Sequence, residues 1–499
     1  MSLDGNLFFF SNDFLFSTTI AFEYAYVVGR FLMFRAFCLF LCVTTHLFCS
    51  QESEELLVFL GKETSLFPTY IEEIELDASK FGEAYTKQLT TILSFDIGHN
   101  GMNRIVAEKE EKSVQTALGK PKFQENINVK ALQATGLAHL IRLQMRGNNL
   151  YAKIIEITAS TSRNVGPIEC SGNLAQDRRK IHSLADRIHQ ALFGKPGIAS
   201  SKILFVSKQR LPSVRNEPQY ASEVYEADYD GQNCRQLTHT NSLCATPLWI
   251  PKRSLSLLKT NDHTCNHFLY VSYQLGQPKF YTLSLYGGSP KRVSTMRGNQ
   301  LTPTISPDGS QLAFCSDITG TADLYLVQFE TSVGAIGKPR QIFHVRGTAT
   351  ACPCFSPDGK KIAFVSNKDG CPRVYMMDIP KIGTKSTDLK PALISKKCRN
   401  NTAPCWSPDG KKIAYSARNS GDREIWVYDI EKGSEEQVSA GEGSKESPSW
   451  ASDSLHLVFH AYTSAGCDIY MINLNQPEPV KISSGSGDKL FAVWEPLDI

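Results

Sequence analysis

Beyond its N-terminal region, the 499-residue sequence lacks any run of about 18 uninterrupted apolar residues and any long block of one charge sign. The first absence excludes a membrane-spanning helix from that part of the chain. Its 53 Lys and Arg residues balance 50 Asp and Glu residues, which excludes a broad electrostatic surface for nucleic acid or anionic lipid. The length leaves room for two or three domains, or for a repeat architecture with an extra domain.

The cysteines also lack a metal-binding pattern. No Cys-x-x-Cys pair occurs among the 14 cysteines, so a structural zinc site is not indicated. Cys38, Cys42 and Cys49 lie in the N-terminal region and leave an odd number in the body of the chain, so at least one thiol there stays unpaired. We expect small buried thiols with at most one or two disulfide bridges.

The N-terminus has the features of a secretory signal peptide. Met33-Phe-Arg35 supplies one positive charge, a mostly apolar run extends from Ala36 to Val43, and the small residue Ser50 precedes an acidic segment. Acidic side chains interrupt the first 32 residues, so we predict that translation starts at Met33. Residues 1–50 would then comprise an over-extended start and the signal peptide.

A four-residue motif repeats along the second half of the chain. Ser-Pro-Asp-Gly occurs at 306–309, 356–359 and 407–410, and Ala451–Ser454 is a degraded copy. Each copy precedes a strand-like stretch, and a second such stretch follows after a glycine-containing turn. Proline sets φ for a type I turn, aspartate caps it, and glycine accepts the left-handed conformation at its end. We interpret the motif as a turn between antiparallel strands of a propeller blade, not as a catalytic site.

An aromatic or apolar residue before this turn allows the blades to be counted. Only five residues follow the last of these anchors, so the final inner strand needs Lys202–Val206 and Ser222–Glu226 to complete its sheet. The sequence therefore predicts an all-β six-bladed β-propeller over residues 200–499 whose two ends join. The six anchors are Trp249, Ile305, Phe355, Trp406, Trp450 and Trp494.

Residues 51–199 follow a different pattern, which predicts a small α/β domain. Segments 62–79 and 100–128 have no clear pattern. The predicted elements are a strand Leu56–Leu60, helices near Phe81–Leu93, Val129–Thr135 and Arg178–Phe193, and a hairpin of Leu137–Met145 with Leu150–Thr158.

The repeats resemble those of the TolB family. They have the form Pro-x-x-Ser-Pro-Asp-Gly-x-x-(Ile/Leu)-Ala-(Phe/Tyr), then Gly and Asp-(Leu/Ile)-Tyr, and then the (Val/Ile)-Ser of Val293-Ser294, Val438-Ser439 and Ile482-Ser483. The order of signal peptide, α/β domain and six blades is similar to this family over residues 51–499. An insertion at Asn261–Asn266 and the loss of the turn motif from the first and last repeats depart from the pattern.

The resemblance implies a non-enzymatic periplasmic adaptor of the Tol-Pal system, without cofactor or metal. It implies that the propeller binds the peptidoglycan-associated lipoprotein Pal, which would hold the protein at the outer membrane, and that an N-terminal segment binds the inner-membrane protein TolA. Such a link would support outer-membrane integrity and cell division, and other envelope proteins could join it. The TolA-binding segment would consist of Gln51, Glu52, Ser53, Glu54 and Glu55.

We place the Pal-binding surface at the loops that lead into the inner strands, because such loops converge around one opening of a propeller. Their short polar side chains suit a hydrated interface. The alternative, that Asn and Thr there only satisfy turn backbone groups, is open for any single residue. The candidate residues are Asn299, Thr302, Thr350, Asn400, Asn401, Thr402, Lys445 and Glu446.

Two enzymatic alternatives stand beside the adaptor. A hydrolase related to the prolyl oligopeptidases would need a Gly-x-Ser-x-Gly nucleophile motif, which the sequence lacks. A propeller lyase or sugar-binding protein would use His344, His456 or His460 as metal ligands. His456 and His460 are four residues apart on one predicted strand and so share a face without converging on an ion, and we expect them to be ordinary strand residues.

Overall fold

The computed structural model describes residues 66–496, except residue 120 and residues 215–216, 252–266 and 419–420. The predicted signal peptide, the strand predicted at Leu56–Leu60 and the insertion at Asn261–Asn266 lie outside the described residues. Within the described part of the chain, no helix combines the length and apolar character needed to span a membrane.

The first part of the described chain is a six-stranded mixed sheet with helices, as predicted. The sheet order is β3-β1-β4-β5-β6, and β2 also pairs with β4. The strands are β1 (Phe67–Ile71), β2 (Glu75–Asp77), β3 (Asn103–Ile105), β4 (His139–Arg146), β5 (Asn149–Glu156) and β6 (Thr161–Glu169). The helices are α1 (Glu83–Gly98), α2 (Glu108–Leu118), α3 (Val129–Gln133) and α4 (Leu174–Phe193).

Local chemistry explains where α4 begins and ends. The side chain of Asn173 accepts hydrogen bonds from the backbone N–H groups of Ala175 and Gln176, which caps the first turn. Gly194 ends the helix with φ of 69°, in the left-handed region that glycine adopts without a Cβ penalty. The predicted helices and the β4–β5 hairpin are confirmed with bounds shifted by a few residues, and strand β6 was not predicted.

The rest of the chain forms six four-stranded antiparallel sheets, which confirms the predicted six-bladed propeller. Blade 1 consists of β10 (Cys244–Trp249), β11 (His267–Ser272), β12 (Lys279–Ser284) and β13 (Lys291–Arg292). Blade 2 consists of β14 (Leu301–Ile305), β15 (Gln311–Ser316), β16 (Asp323–Glu330) and β17 (Gly334–Phe343). Blade 3 consists of β18 (Thr350–Phe355), β19 (Lys361–Ser366), β20 (Arg373–Asp378) and β21 (Ala392–Leu393), with a 3-10 turn at Ser386–Asp388 before β21.

Blades 4 and 5 continue the same order, whereas blade 6 joins the two ends of the propeller. Blade 4 consists of β22 (Asn400–Trp406), β23 (Lys412–Arg418), β24 (Arg423–Asp429) and β25 (Ser434–Gln437). Blade 5 consists of β26 (Ser444–Trp450), β27 (His456–Thr463), β28 (Gly466–Asn473) and β29 (Gln476–Lys481). Blade 6 has the order β30 (Asp488–Trp494), β7 (Lys202–Val214), β8 (Glu217–Asp228) and β9 (Arg235–Gln236). Pairing of β30 with β7 closes the ring, as predicted.

The repeated motif forms the predicted turn after each inner strand that carries it. In blade 2 the N–H of Gly309 donates to the carbonyl of Ser306 at 2.8 Å, and Asp308 accepts from the backbone N–H of Ser310. Gly309 has φ of 73°. Each anchor residue is the last residue of its inner strand and is buried. Blade-to-blade cores hold the repeated aromatic residues, among them Tyr270, Tyr325 and Tyr375.

The ten cysteines among the described residues are free thiols. Half of them are buried, as expected for thiols that pack as small apolar groups. Burial raises the pKa of the Cys244 thiol to about 12, so this group stays protonated.

Candidate functional site

The candidate residues lie at the end of the propeller where the six inner strands begin, which we call the inner-strand rim. The sequence placed all eight of them in loops, and the structure corrects this. Asn299 precedes β14, but the other seven belong to the inner strands β14, β18, β22 and β26. The strands begin earlier than predicted because each continues past an internal bulge that interrupts its ladder with the next strand.

This bulge occurs in all six inner strands and has the same unusual backbone each time. A non-glycine residue follows each interrupted pair with φ between 42° and 54°. Five of the six precede a proline, a position that disfavours helical backbone angles. The bulged pairing of each inner strand with the next strand therefore holds a conformation that local preference opposes. The residues are Thr246, Thr302, Cys352, Ala403, Ser447 and Phe491.

Two of the candidate side chains are buried and hydrogen-bonded inside the propeller. The ammonium of Lys445 donates to the carbonyls of Gly441 and Gly443 at 2.6 and 2.9 Å, and to Glu424 at 3.0 Å. The amide of Asn401 donates to Ser395 Oγ and to the carbonyl of Cys398. Lys445 is 3% exposed and Asn401 is fully buried, so both satisfy the backbone or side chains of the preceding segment.

Burial separates the remaining candidates into two groups. Thr350, Thr402 and Glu446 are buried, and Glu446 forms an ion pair with Arg423 at 3.3 Å. Asn299, Thr302 and Asn400 are half-buried, so part of each residue is exposed. Asn299 donates to Asp317 at 2.6 Å, and Thr302 Oγ1 accepts from the N–H of Cys352 on the neighbouring inner strand at 3.2 Å. Of these three residues, Asn400 is the one whose side chain makes no hydrogen bond among the described residues, and its backbone carbonyl accepts from Arg423 at 3.0 Å.

The structure does not bring together the three histidines of the lyase alternative. Nδ1 of His344 lies 2.9 Å from Asp323 in blade 2. His456, at the start of β27, donates from Nε2 to the backbone carbonyl of His99 and thereby fixes the α/β domain to blade 5. His460 is buried on the same strand and accepts the N–H of Phe491. Each imidazole thus has a packing or hydrogen-bonding role.

A buried polar network connects the α/β domain with blade 6. His182 on α4 contacts Asp96 on α1 at 2.8 Å and lies 3.7 Å from Asp230 after β8. Arg178 pairs with the same Asp230. Burial opposes the imidazolium, but the hydrogen bond to Asp96 and the charges of Asp96 and Asp230 outweigh it and raise the pKa of His182 above its ordinary value.

The same network contains three potential metal ligands. Ligand atoms of His182, Asp228 and Asp230 lie within 4.8 Å of one another, the only such group of three or more among the described residues. Arg178 pairs with Asp230, and the guanidinium of Arg179 lies 3.5 Å from Asp228. Because these guanidinium groups already neutralise the carboxylates, the arrangement is a buried ion-pair network and not a cation site.

Sequence reasoning missed this network although a signal was present. Asp96 and His182 occupy the apolar stripes of their helices, Asp96 beside Leu93 and Ile97. A charged residue on the buried face of a helix needs an ion-pair or hydrogen-bond partner, and only the folded structure shows which residue that is. The acidic segment at residues 51–55 lies outside the described residues.

Comparisons with known proteins agree with the observed fold. The family described as TolB beta propeller domain matches residues 189–392 and 379–498. The chain is 40% identical to the Protein TolB homolog of Protochlamydia amoebophila over 398 residues, which are 80% of this chain and 82% of the relative. It is 33% identical to the Protein TolB homolog of Chlamydia trachomatis serovar L2 over 406 residues, covering 81% of this chain and 84% of the relative.

A solved structure extends the comparison to most of the described chain. The crystal structure of TolB from Acinetobacter baumannii matches with a TM-score of 0.66 at 20% sequence identity, over 86% of this chain and 97% of that one. At this sequence identity the match supports the fold, including the α/β part, but not a specific function.

Proposed function

The chain belongs to the TolB family, and on this premise we propose that it is a non-enzymatic periplasmic adaptor of the Tol-Pal system that binds the lipoprotein Pal through the inner-strand rim. The supporting observation is that all six inner strands begin at this end of a ring closed by β30 and β7. A closed ring offers several blades to one partner without rearrangement, which limits the entropic cost of binding.

The proposed contact set follows from the burial of the candidates. Asn299, Thr302 and Asn400 are the candidates that a partner can reach directly. Thr350, Asn401, Thr402, Lys445 and Glu446 would act by holding the rim in shape, because they are buried. Half-exposed polar groups on a rigid surface suit a hydrated interface of moderate apolar content.

The second proposed partner is TolA, which would bind residues 51–55 near the mature N-terminus. The proposal rests on family membership and on the position of this acidic segment before β1. It includes export by a signal peptide with translation from Met33, an α/β domain over 51–199, a propeller over 200–499, and a role in outer-membrane integrity and division. Deletion of residues 51–55 should weaken TolA binding at least tenfold while Pal binding and thermal unfolding stay unchanged.

The adaptor proposal is separated from the enzymatic alternatives by direct assay. Purified protein is tested against esterase, peptidase and polysaccharide substrates, and in parallel for stoichiometric binding to the soluble domain of Pal from the same bacterium. Binding without turnover supports the adaptor. Turnover that is lost on heat denaturation would contradict it, and unchanged TolA affinity after the deletion would reject only the N-terminal part.

A further inference from the structure

Two half-buried cysteines occupy matching positions in neighbouring blades of the propeller. Cys354 is the residue before the anchor Phe355 in β18, and Cys405 is the residue before the anchor Trp406 in β22. These two inner strands lie side by side where blades 3 and 4 meet. Both residues are free thiols in the structure, and the function proposed above uses neither of them.

A backbone hydrogen bond places the sulfur of Cys354 beside Cys405. The N–H of Trp406 donates to Sγ of Cys354 at 3.3 Å. That nitrogen is two covalent bonds away from Cα of Cys405, so the sulfur lies within about 5.7 Å of this Cα. Cysteines whose Cα atoms are about 4.4–6.8 Å apart can form a disulfide, and a sulfur at this distance from the partner's Cα is compatible with that range.

The two thiols also interact with each other. A hydrogen bond from the Cys405 thiol, together with the N–H of Trp406, lowers the pKa of Cys354 below its ordinary value although burial opposes this. The same hydrogen bond and burial raise the pKa of Cys405. Cys354 is therefore the sulfur of the pair that ionises first, and a thiolate is the form of cysteine that reacts as a nucleophile.

The hydrogen bond between blades does not itself need sulfur. Between blades 5 and 6, the hydroxyl of Ser449 accepts the N–H of Trp494 at 3.0 Å. Ser449 precedes the anchor Trp450 in β26 and so occupies the same position as the two cysteines. A thiol sulfur is a weaker acceptor than a hydroxyl oxygen. Two thiols at neighbouring positions differ from hydroxyls in one further respect, because they can join covalently.

We propose that Cys354 and Cys405 form a disulfide bridge that joins the inner strands of blades 3 and 4 when the protein meets a small disulfide oxidant. The thiolate of Cys354 attacks one sulfur of the oxidant, forms a mixed disulfide and releases the first thiolate of the oxidant. The thiolate of Cys405 then attacks Sγ of Cys354 and releases the second. The two protein thiols thereby lose two electrons and two protons, and the oxidant is reduced to two thiols.

The bridge would connect two strands that carry candidates at the inner-strand rim, since β18 begins at Thr350 and β22 at Asn400. A cross-link between distant parts of the chain restricts the unfolded state and so stabilises the folded one. Formation of the bridge in the cell rests on the proposed export to an oxidising compartment. Its formation with an added oxidant does not.

Full-length protein carrying Cys234→Ser tests the proposal, because Cys234 is exposed and would otherwise be free to cross-link two molecules. The protein is reduced, freed of reductant and treated with 2-hydroxyethyl disulfide at about pH 8, where thiolates form readily. Remaining thiols are alkylated in denaturant, and a non-reduced digest is mapped by mass spectrometry. The digest should contain one peptide pair linked through Cys354 and Cys405. The unfolding temperature should be at least about 3 °C higher than that of the reduced protein.

Further variants in the same Cys234→Ser background separate this pair from other thiols. Cys354→Ser and Cys405→Ser should each give no linked peptide and no rise in unfolding temperature on oxidation. The control Cys398→Ser removes a buried thiol outside the pair and should keep both effects. Because each protein is compared with its own reduced form, any loss of stability from the substitution itself cancels.

Three results would overturn the proposal. The first is recovery of Cys354 and Cys405 as alkylated thiols after oxidation, and the second is a bridge from either residue to another cysteine. The third is a linked pair whose formation leaves the unfolding temperature unchanged or lowers it. Pal and TolA binding are not measured here, so failure of the adaptor proposal and failure of the bridge are distinguishable.

Discussion

The hydroxyl of Tyr229, just after β8 of the propeller, donates a 2.7 Å hydrogen bond to Oδ1 of Asp96 on helix α1. Tyr229 is 1% exposed and Asp96 is 2% exposed. The other carboxylate oxygen of Asp96 contacts His182, so both oxygens have partners. A continuous apolar cluster surrounds the pair and includes Trp494 of β30. The junction between the two parts of the protein therefore combines apolar packing with one fully buried polar centre.

Removal of the Tyr229 hydroxyl should destabilise this junction. Tyr229→Phe leaves a buried carboxylate oxygen without its donor, and we expect the free energy of unfolding to fall by about 1.5–3 kcal/mol. Urea unfolding followed by fluorescence measures the change. The control is Tyr225→Phe, whose hydroxyl bonds Gln236 at 2.9 Å in a half-buried setting and should cost less. If both variants lose the same free energy of unfolding, the hydrogen bond between Tyr229 and Asp96 stabilises the protein no more than the half-buried one.

Stability should fall in mild acid because of His460. Burial lowers the pKa of His460 to about 3, below the value of about 6.5 expected in the unfolded chain. The neutral ring is thus favoured in the folded state, and its stabilising effect is complete above pH 6.5 and decreases as pH falls toward 3. At about pH 5 the loss from this residue is about 2 kcal/mol.

The variant His460→Asn tests this assignment, because asparagine can still accept the N–H of Phe491 but does not titrate. Between about pH 7.5 and pH 5, its free energy of unfolding should decrease by about 2 kcal/mol less than that of the original protein. A parallel decrease in both proteins would assign the acid sensitivity to other groups, such as His189, whose pKa burial lowers to about 4.

Substitution of the buried Lys445 should lower the free energy of unfolding. Lys445→Met removes the donor to the carbonyls of Gly441 and Gly443, and we expect a loss of about 1–3 kcal/mol in the free energy of unfolding. The matched control Lys432→Met removes an exposed ion pair with Asp429 and should cost at most about 1 kcal/mol. An unfolding midpoint unchanged by Lys445→Met would show that the hydrogen bonds of Lys445 to Gly441 and Gly443 do not stabilise the fold.

The turns and the blade count could be predicted because short-range chemistry determines them. Gly309 and Asp308 act within one tetrapeptide, so the motif alone indicates the turn. Joining of β7 to β30, predicted from the six repeated anchors, is confirmed by the pairing of Trp494 with Ile203. In these cases each residue's local preference agrees with the fold.

The rim could not be predicted because distant parts of the chain determine it. Thr302 precedes a proline and should avoid a positive φ, yet it has φ of 45° in the bulged pairing of β14 with β15. Lys445 looks like a surface lysine in the sequence, but its ammonium donates to Glu424 in β24, which lies 21 residues earlier in the chain. Asp96 and Tyr229 are 133 residues apart, so nothing local connects them.

Calorimetric titration with the soluble domain of Pal from the same bacterium tests the central claim most directly. Asn400→Arg places a bulky cation at the inner-strand rim, whereas Ser310→Arg places the same group at the turn on the opposite end of an inner strand. The account predicts that Asn400→Arg weakens binding at least tenfold, that Ser310→Arg leaves it unchanged, and that both variants keep the original unfolding temperature. Binding that survives Asn400→Arg but is lost in Ser310→Arg would contradict the account and move the site to the other face.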